Sequence, residues 1–234
     1  MSYLSRIDHA FSDAPVLPLS ENGRYGLFSD CHRGIGTSND NFLKNQHLYF
    51  AALNYYYQHS FCYIELGDGD ELWENRSFSA IQNIHSNVFW LLSLFYEEHR
   101  LFMLFGNHDI AKKDFHPFSD CCFHEGLRLK DCVTGQELYL THGHQADFFN
   151  STLWRLSCFL VRYLWKPLEQ FGVLDPTSAA KNYKVKNKTE QRLQEWTKLH
   201  KKILITGHTH RPVLGSKDSL YFNTGSCVHP RCIT

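Results

Sequence analysis

The stretch Leu101-Phe-Met-Leu-Phe-Gly-Asn-His-Asp109 runs five apolar residues straight into a glycine and three polar ones. A short apolar run closed in this way reads as a buried strand opening into a loop. The pattern recurs on both sides of it. Tyr25-Gly-Leu-Phe28 precedes SDCHRG, and Cys62-Tyr-Ile-Glu-Leu66 precedes GDGDE. Leu138-Tyr-Leu140 precedes THGH, and Ile203-Leu-Ile205 precedes TGHTH. Between these runs lie stretches of helical spacing. Ile81, Ile84, Val88, Leu91, Leu92 and Phe95 form one apolar stripe, and residues 41–58 also read as a helix. Strands alternating with helices predict an α/β domain, whose ligands sit beyond the carboxyl ends of the strands. Every polar cluster falls at such an end.

The chain has 234 residues, 43% of them hydrophobic, as expected of a globular protein. Its 24 Lys and Arg balance 24 Asp and Glu, so no overall field attracts nucleic acid, and no nucleic-acid partner is expected. The first twenty residues lack the basic start and apolar run of a secretory signal. The most apolar region, residues 153–174, is interrupted by Arg155, Arg162 and Lys166, which argues against a membrane span. The eight cysteines form no CxxC pair, and a reducing cytoplasm is the expected compartment.

Successive polar clusters are 35 to 39 residues apart until the last step, from His142 to His208, which takes 66. Residues 151–202 carry eleven Lys or Arg against four acids. The expectation is a single domain over 1–234 with a basic, aromatic helical insertion at about 148–200. Pro167 and Pro176 would break it. Thr189 would cap its second half, and Leu193, Trp196 and Leu199 would share one side.

Fifteen histidines draw attention to metal ligation. The strand ends collect Asp30, His32, Asp68, Asn107, His108, Asp109, His142, His144, His208 and His210. Carboxylates, imidazoles and an amide oxygen suit Mn, Fe, Zn or Co. Asp30 and His32 are two apart, as are His208 and His210, so in extended chain each pair would share a face and grip one ion. So many donors exceed the needs of one tetrahedral ion. Two ions sharing a carboxylate fit better, with Asp68 as the shared ligand.

The ordered series D-x-H (Asp30, His32), GD (Gly67, Asp68), GNHD (Gly106 to Asp109), HG (His142, Gly143) and GHTH (Gly207 to His210) resembles the calcineurin-like metallophosphoesterases. The resemblance covers roughly residues 24–226 and implies a four-layer sandwich, two β-sheets flanked by helices. It implies Asp30, His32, Asp68 and His210 around one metal, and Asp68, Asn107, His142 and His208 around the other. His108 would face the substrate, held by Asp109. The activity implied is phosphoester or pyrophosphate hydrolysis with two divalent ions, Mn foremost. Arg33 and His144 are candidate substrate contacts. Asp70 and Glu71 are expected either to hydrogen-bond ligands or to cap the following helix, and Asn223 and Ser226 read as a closing strand-turn.

Within that superfamily the UDP-2,3-diacylglucosamine hydrolases carry a helical insertion at the same place, over the acyl chains of their substrate. This chain looks similar, with Trp154, Phe159, Leu160, Tyr163, Leu164 and Trp165 to line an apolar groove. Arg155, Arg162 and Lys166 would meet anionic head groups or the inner membrane face. It departs in carrying GNHD for the usual GNRD, and His144 where those hydrolases have Asp. The partner expected is therefore a phosphorylated small molecule or lipid-linked substrate. The alternatives are a phosphomonoesterase, a nucleotide phosphodiesterase and a scaffold without metals.

Overall fold

A computed structural model describes residues 1–37, 40–114, 118, 123–165, 182–216 and 218–228. The apolar runs form strands as their composition dictates, and the strands join two sheets. β2 (Tyr25–Phe28), β3 (Cys62–Leu66), β4 (Leu101–Leu104) and β5 (Phe123–His124) lie in that order, all parallel. The second sheet runs β1 (Val16–Leu19), β6 (Gly126–Asp131), β7 (Glu137–Thr141), β8 (Ile203–Thr206) and β9 (Tyr221–Asn223). Only its β6–β7 pair is antiparallel.

Side chains alternate across each strand, so each sheet buries both faces. Ile64 and Leu66 of β3 and Leu104 of β4 meet Leu127, Leu129 and Leu140 of the other sheet, which seals the sheets together. From the opposite face of the first sheet, Tyr63 and Met103 pack with Phe42, Tyr49, Leu53 and Phe95. Tyr49 and Leu53 come from α2 (Gln46–Gln58). Phe95 comes from α4 (Ser86–Glu97). Beyond the second sheet, Tyr139, Leu204 and Tyr221 pack with Ile7 of α1 (Tyr3–Ala10) and with Leu193 and Trp196. The result is an α/β sandwich with helices on both outer faces.

The helices depart from the sequence expectation in identifiable ways. The stripe from Ile81 to Phe95 is not one helix. It divides into α3 (Phe78–Ile84) and α4 at His85, and Ile84 is exposed. At the break His85 leaves helical geometry (φ −104°, ψ 33°) and is buried with Nε2 3.0 Å from Asp40 Oδ2. Likewise residues 41–58 divide into a short 3₁₀ turn, Asn41–Lys44, and α2.

The expected insertion is helical where it is described. α5 (Phe148–Ser151) and α6 (Trp154–Leu160) lead into a π-helical turn, Val161–Trp165. α7 (Tyr183–His200) follows residues 166–181. Lys166, Pro167 and Pro176 lie outside the described residues. α7 starts at Asn182, whose side chain accepts from the N–H groups of Lys184 and Val185. Thr189 is therefore an interior, buried position and not the cap. Leu193 and Trp196 are buried but Leu199 is 64% exposed, so the apolar side of α7 stops short of it. Among the described residues no helix is long and apolar enough to cross a membrane.

Candidate metal centre

β2, β3, β4, β7 and β8 all release their polar clusters on one side of the sandwich, at their carboxyl ends. The loops are stitched to one another through backbone. Asp30 N–H donates to Gly67 C=O, His32 N–H to Asp68 C=O and Gly207 N–H to His142 C=O, at 3.1, 2.9 and 3.0 Å. Five of the non-glycine residues with left-handed backbone are Asp30 (φ 52°), His32 (φ 49°), Asp68 (φ 51°), His208 (φ 69°) and His210 (φ 54°). Each such corner costs of order 1–3 kcal/mol and persists where the surroundings over-determine it. Their gathering at one place marks a site whose side-chain directions matter more than local backbone comfort. Two glycines make the close approach feasible. A Cβ at Gly106 would run into the Asp68 carboxylate, and one at Gly207 into Ser29 and Asp30.

This backbone also corrects the expected pairing. Residues 30, 32, 208 and 210 are not extended, so residues two apart need not share a target. Asp30 and His32 do come together, but with His210, while His208 joins Asp68 and His142. In the first group Asp30 Oδ1 lies 3.1 Å from His210 Nε2, and His32 Nε2 lies 3.2 Å from the same nitrogen. In the second, Asp68 Oδ2 lies 3.1 Å from His142 Nε2. The same Asp68 oxygen is 3.9 Å from His32 Nε2, so it faces both groups. Its other oxygen accepts the His108 backbone N–H at 2.8 Å. Asp68 Oδ2 is thus the oxygen that faces both groups, while Oδ1 is taken by the His108 N–H.

The donor atoms are held and aimed. His142 Nδ1 is 2.9 Å from the Leu66 carbonyl, which leaves Nε2 for the centre. Asp30 Oδ2 accepts from the His208 N–H at 2.9 Å and from the Ser29 hydroxyl. Asn107 Oδ1 and His208 Nε2 are buried without a hydrogen bond among the described residues, and Asp30 Oδ1 and His142 Nε2 have only their 3.1 Å contacts with His210 and Asp68. Buried polar atoms are ordinarily satisfied, and an ion is one partner that resolves such orphans. The buried His and Asp groups could thus hold metal ions, and their donor chemistry fits.

Charge balance inside the centre gives the same picture. Burial would raise the Asp68 carboxyl, but His142 and His108 overcome it and hold the group well below its usual range. Asp30 is lowered in the same way, against burial, by His210 and His142. Burial disfavours charge on His32, yet Glu71, Asp68 and Asp30 push its pKa up to about 10. Burial likewise opposes charge on His142, and Asp68 with Asp30 pushes it up to about 9. Protons thus occupy the place of positive charge among buried carboxylates, and an incoming cation would displace them.

Two further groups sit beside these donors. Glu71 grips two imidazoles at once, with Oε2 2.8 Å from His32 Nδ1 and Oε1 2.7 Å from His108 Nδ1. His108 is thus held by Glu71 and not, as expected, by Asp109. Asp109 is buried beneath the loops, where it accepts the N–H groups of Gly106, Asp68 and Gly69. Of its two expected roles Glu71 takes that of holding a candidate ligand, His32, while Asp70 meets Arg33; the following helix α3 is capped by Ser77 instead.

Arg33 also corrects its expected role as a substrate contact. It is fully buried, with Nη1 and Nη2 2.9 and 3.0 Å from Glu65 and Nε 2.7 Å from Asp70. Lys112 joins that network, 2.6 Å from Asp70 and 2.7 Å from Asp109. The three carboxylates Glu65, Asp70 and Asp109 therefore surround an ammonium already supplied by the chain. Lys112 carries no sequence signal that distinguishes it from a surface charge.

His144 lies against His142 and His208, ring centroids 5.5 and 6.5 Å away, but it is buried. Burial, and then the charges of His142 and His208, push its pKa well below the ordinary value, so it is a neutral ring inside the site. Asp147 caps α5 and lies 3.9 Å from His208 Nε2. Asn223 is structural, as expected, donating to the Gly207 carbonyl at 2.6 Å. No protein-family model and no curated protein matches the chain.

Proposed function

We propose that the chain is a dinuclear metal-dependent phosphoesterase of the calcineurin-like type, hydrolysing a phosphoester or pyrophosphate bond. The observation that carries this reading is the pair of adjacent donor groups, Asp30, His32 and His210 beside Asp68, His142 and His208, with Asp68 Oδ2 facing both. Asp30, His32, Asp68 and His210 would hold one ion, and Asp68, Asn107, His142 and His208 the other. A pair of divalent ions so placed supplies Lewis acidity toward phosphoryl oxygens and makes bound water a nucleophile near neutral pH.

The chain's own residues do the rest. Glu71 holds Nδ1 of His108, so Nε2 is the atom that can pass a proton to the leaving oxygen. Burial opposes charge on His108, but Glu71 and Asp68 raise its pKa and keep that proton available. Asp109 fixes the loop carrying Asp68 through the N–H groups of Asp68 and Gly69, and its own loop through that of Gly106. No nucleophilic side chain is needed.

A lipid-linked substrate suits the segment beside the site. Phe148, Phe149, Leu156, Phe159, Tyr163 and Leu164 are exposed on α5, α6 and the turn after them. An apolar face of that kind marks an interaction site more often than ordinary surface. Arg155 is exposed there, whereas Arg162 points its guanidinium at backbone carbonyls and is not available to head groups.

Mn²⁺-reconstituted protein should be assayed on UDP-diacylglucosamine, a phosphomonoester and a phosphodiester. Metal-dependent turnover of any of them supports the reaction class, and preference for the first supports the lipid-linked substrate. Absence of turnover on all three, with metals bound, would overturn the proposal.

A further inference from the structure

His108 makes a second contact besides Glu71. The indole of Trp73 stacks on its imidazole, with centroids 4.3 Å apart and planes 27° from parallel. Trp73 is buried, two residues beyond Glu71 in the loop after β3. That loop is not held by its own strand neighbours alone. Arg162 Nε donates to the Trp73 carbonyl at 2.7 Å, and Nη2 donates to the Leu72 carbonyl at 3.0 Å. The donor comes from the π-helical turn at 161–165, about ninety residues further along the chain. Arg76 of the same loop meets the hydroxyl of Tyr163, from the same turn.

A guanidinium forked over two successive carbonyls fixes the direction of the backbone it grips. Here that backbone carries the ring lying on His108. Glu71 holds one edge of the imidazole, and Trp73 covers one face. With both in place the ring has little freedom to swing.

We infer that Trp73 and Arg162 are positioning residues for His108: the helical segment at 148–165 sets the acid's geometry through the Arg162 fork and the Trp73 stack. This rests on the reading of His108 as the proton donor. It makes the segment part of the catalytic apparatus as well as a surface for substrate. Neither residue touches the reacting atoms. Proton donation matters most when the leaving oxygen is a poor leaving group, so disturbance of either residue should be felt selectively there.

Two readouts test this on the full chain. The first is the NMR signal of the His108 ring protons in ¹⁵N-histidine-labelled protein, identified by its loss in His108→Gln. A stacked indole shifts these protons upfield, and the shift should collapse in Trp73→Leu and also in Arg162→Gln, with Arg162→Lys keeping part of it. The second is Mn²⁺-supported hydrolysis of phenyl phosphate against p-nitrophenyl phosphate. The ratio of the two kcat values should fall by roughly tenfold or more in Trp73→Leu and Arg162→Gln, with bound metal unchanged. An Arg162→Gln protein that is folded and keeps the wild-type His108 shift would overturn the proposal, as would equal losses on both esters. Should wild type cleave neither ester while the His108 shift responds as stated, positioning stands and the phosphoesterase reading falls.

Discussion

At the scale of single residues, the candidate metal donors are legible because they come as short motifs at strand ends. Asp30, His32, Asp68, His142, His208 and His210 all converge. Glu71 apart, the groups that hold them are not legible, because what an acid or a Lys touches depends on which loops come together. Arg33 shows this most directly. Beside His32 in a loop it reads as a contact for an anion. In the fold its guanidinium is spent on Glu65 and Asp70, with no exposed surface. Removing one partner of a buried ion network leaves charges without compensation, which typically costs about 3–5 kcal/mol. Arg33→Met should therefore lower the urea midpoint severely, or prevent folding. A folded Arg33→Met of wild-type stability with only a raised KM would restore its role as a substrate contact.

At the scale of elements, α7 does more than cover the second sheet. Glu190, buried on α7, accepts from the Thr209 hydroxyl at 2.8 Å and pairs with Arg211. Thr209 stands between His208 and His210, which serve different donor groups, so one carboxylate steadies both. Arg192 of the same helix donates to the Ala146 carbonyl at 2.7 Å and ties down the loop after His142. Glu190→Ala should cost roughly 1–3 kcal/mol in a denaturant melt, because it strands buried polar groups. It should also weaken metal binding at both positions. Unchanged metal affinity would confine Glu190 to stability.

The five strands that open into polar clusters, β2, β3, β4, β7 and β8, are readable as short apolar runs, whereas β1, β5 and β6 end in no such cluster and carry no comparable signal. The helices are less readable. A periodic apolar stripe cannot show that His85 turns inward to Asp40, and a threonine at a good spacing from an apolar side does not reveal that Asn182 starts α7 seven residues earlier.

At the scale of the whole molecule, the centre joins two sheets that share one core, so the charge state of the site bears on stability. In metal-free protein His32 and His142 are raised to about 10 and about 9, against roughly 6.5 in an unfolded chain. The folded state then binds more protons than the unfolded state between these values. Their contribution is fully present below about pH 6.5 and is lost as pH rises through 9 to 10. Chelated protein should accordingly show a falling Tm from pH 7 to 10. With metal bound these rings are neutral ligands, so the loss should shrink and metal affinity should rise with pH. A Tm that is flat with pH in the chelated protein would contradict the buried charge balance.

The central claim is that one side of this sandwich is built for two ions bridged by Asp68. Counting Mn²⁺ bound per chain at saturation, in wild type and in Asp68→Asn, tests it most directly. The account predicts two in wild type and fewer than two in the variant. No tightly bound Mn²⁺ in folded wild-type protein, or two bound equally well by Asp68→Asn, would contradict it.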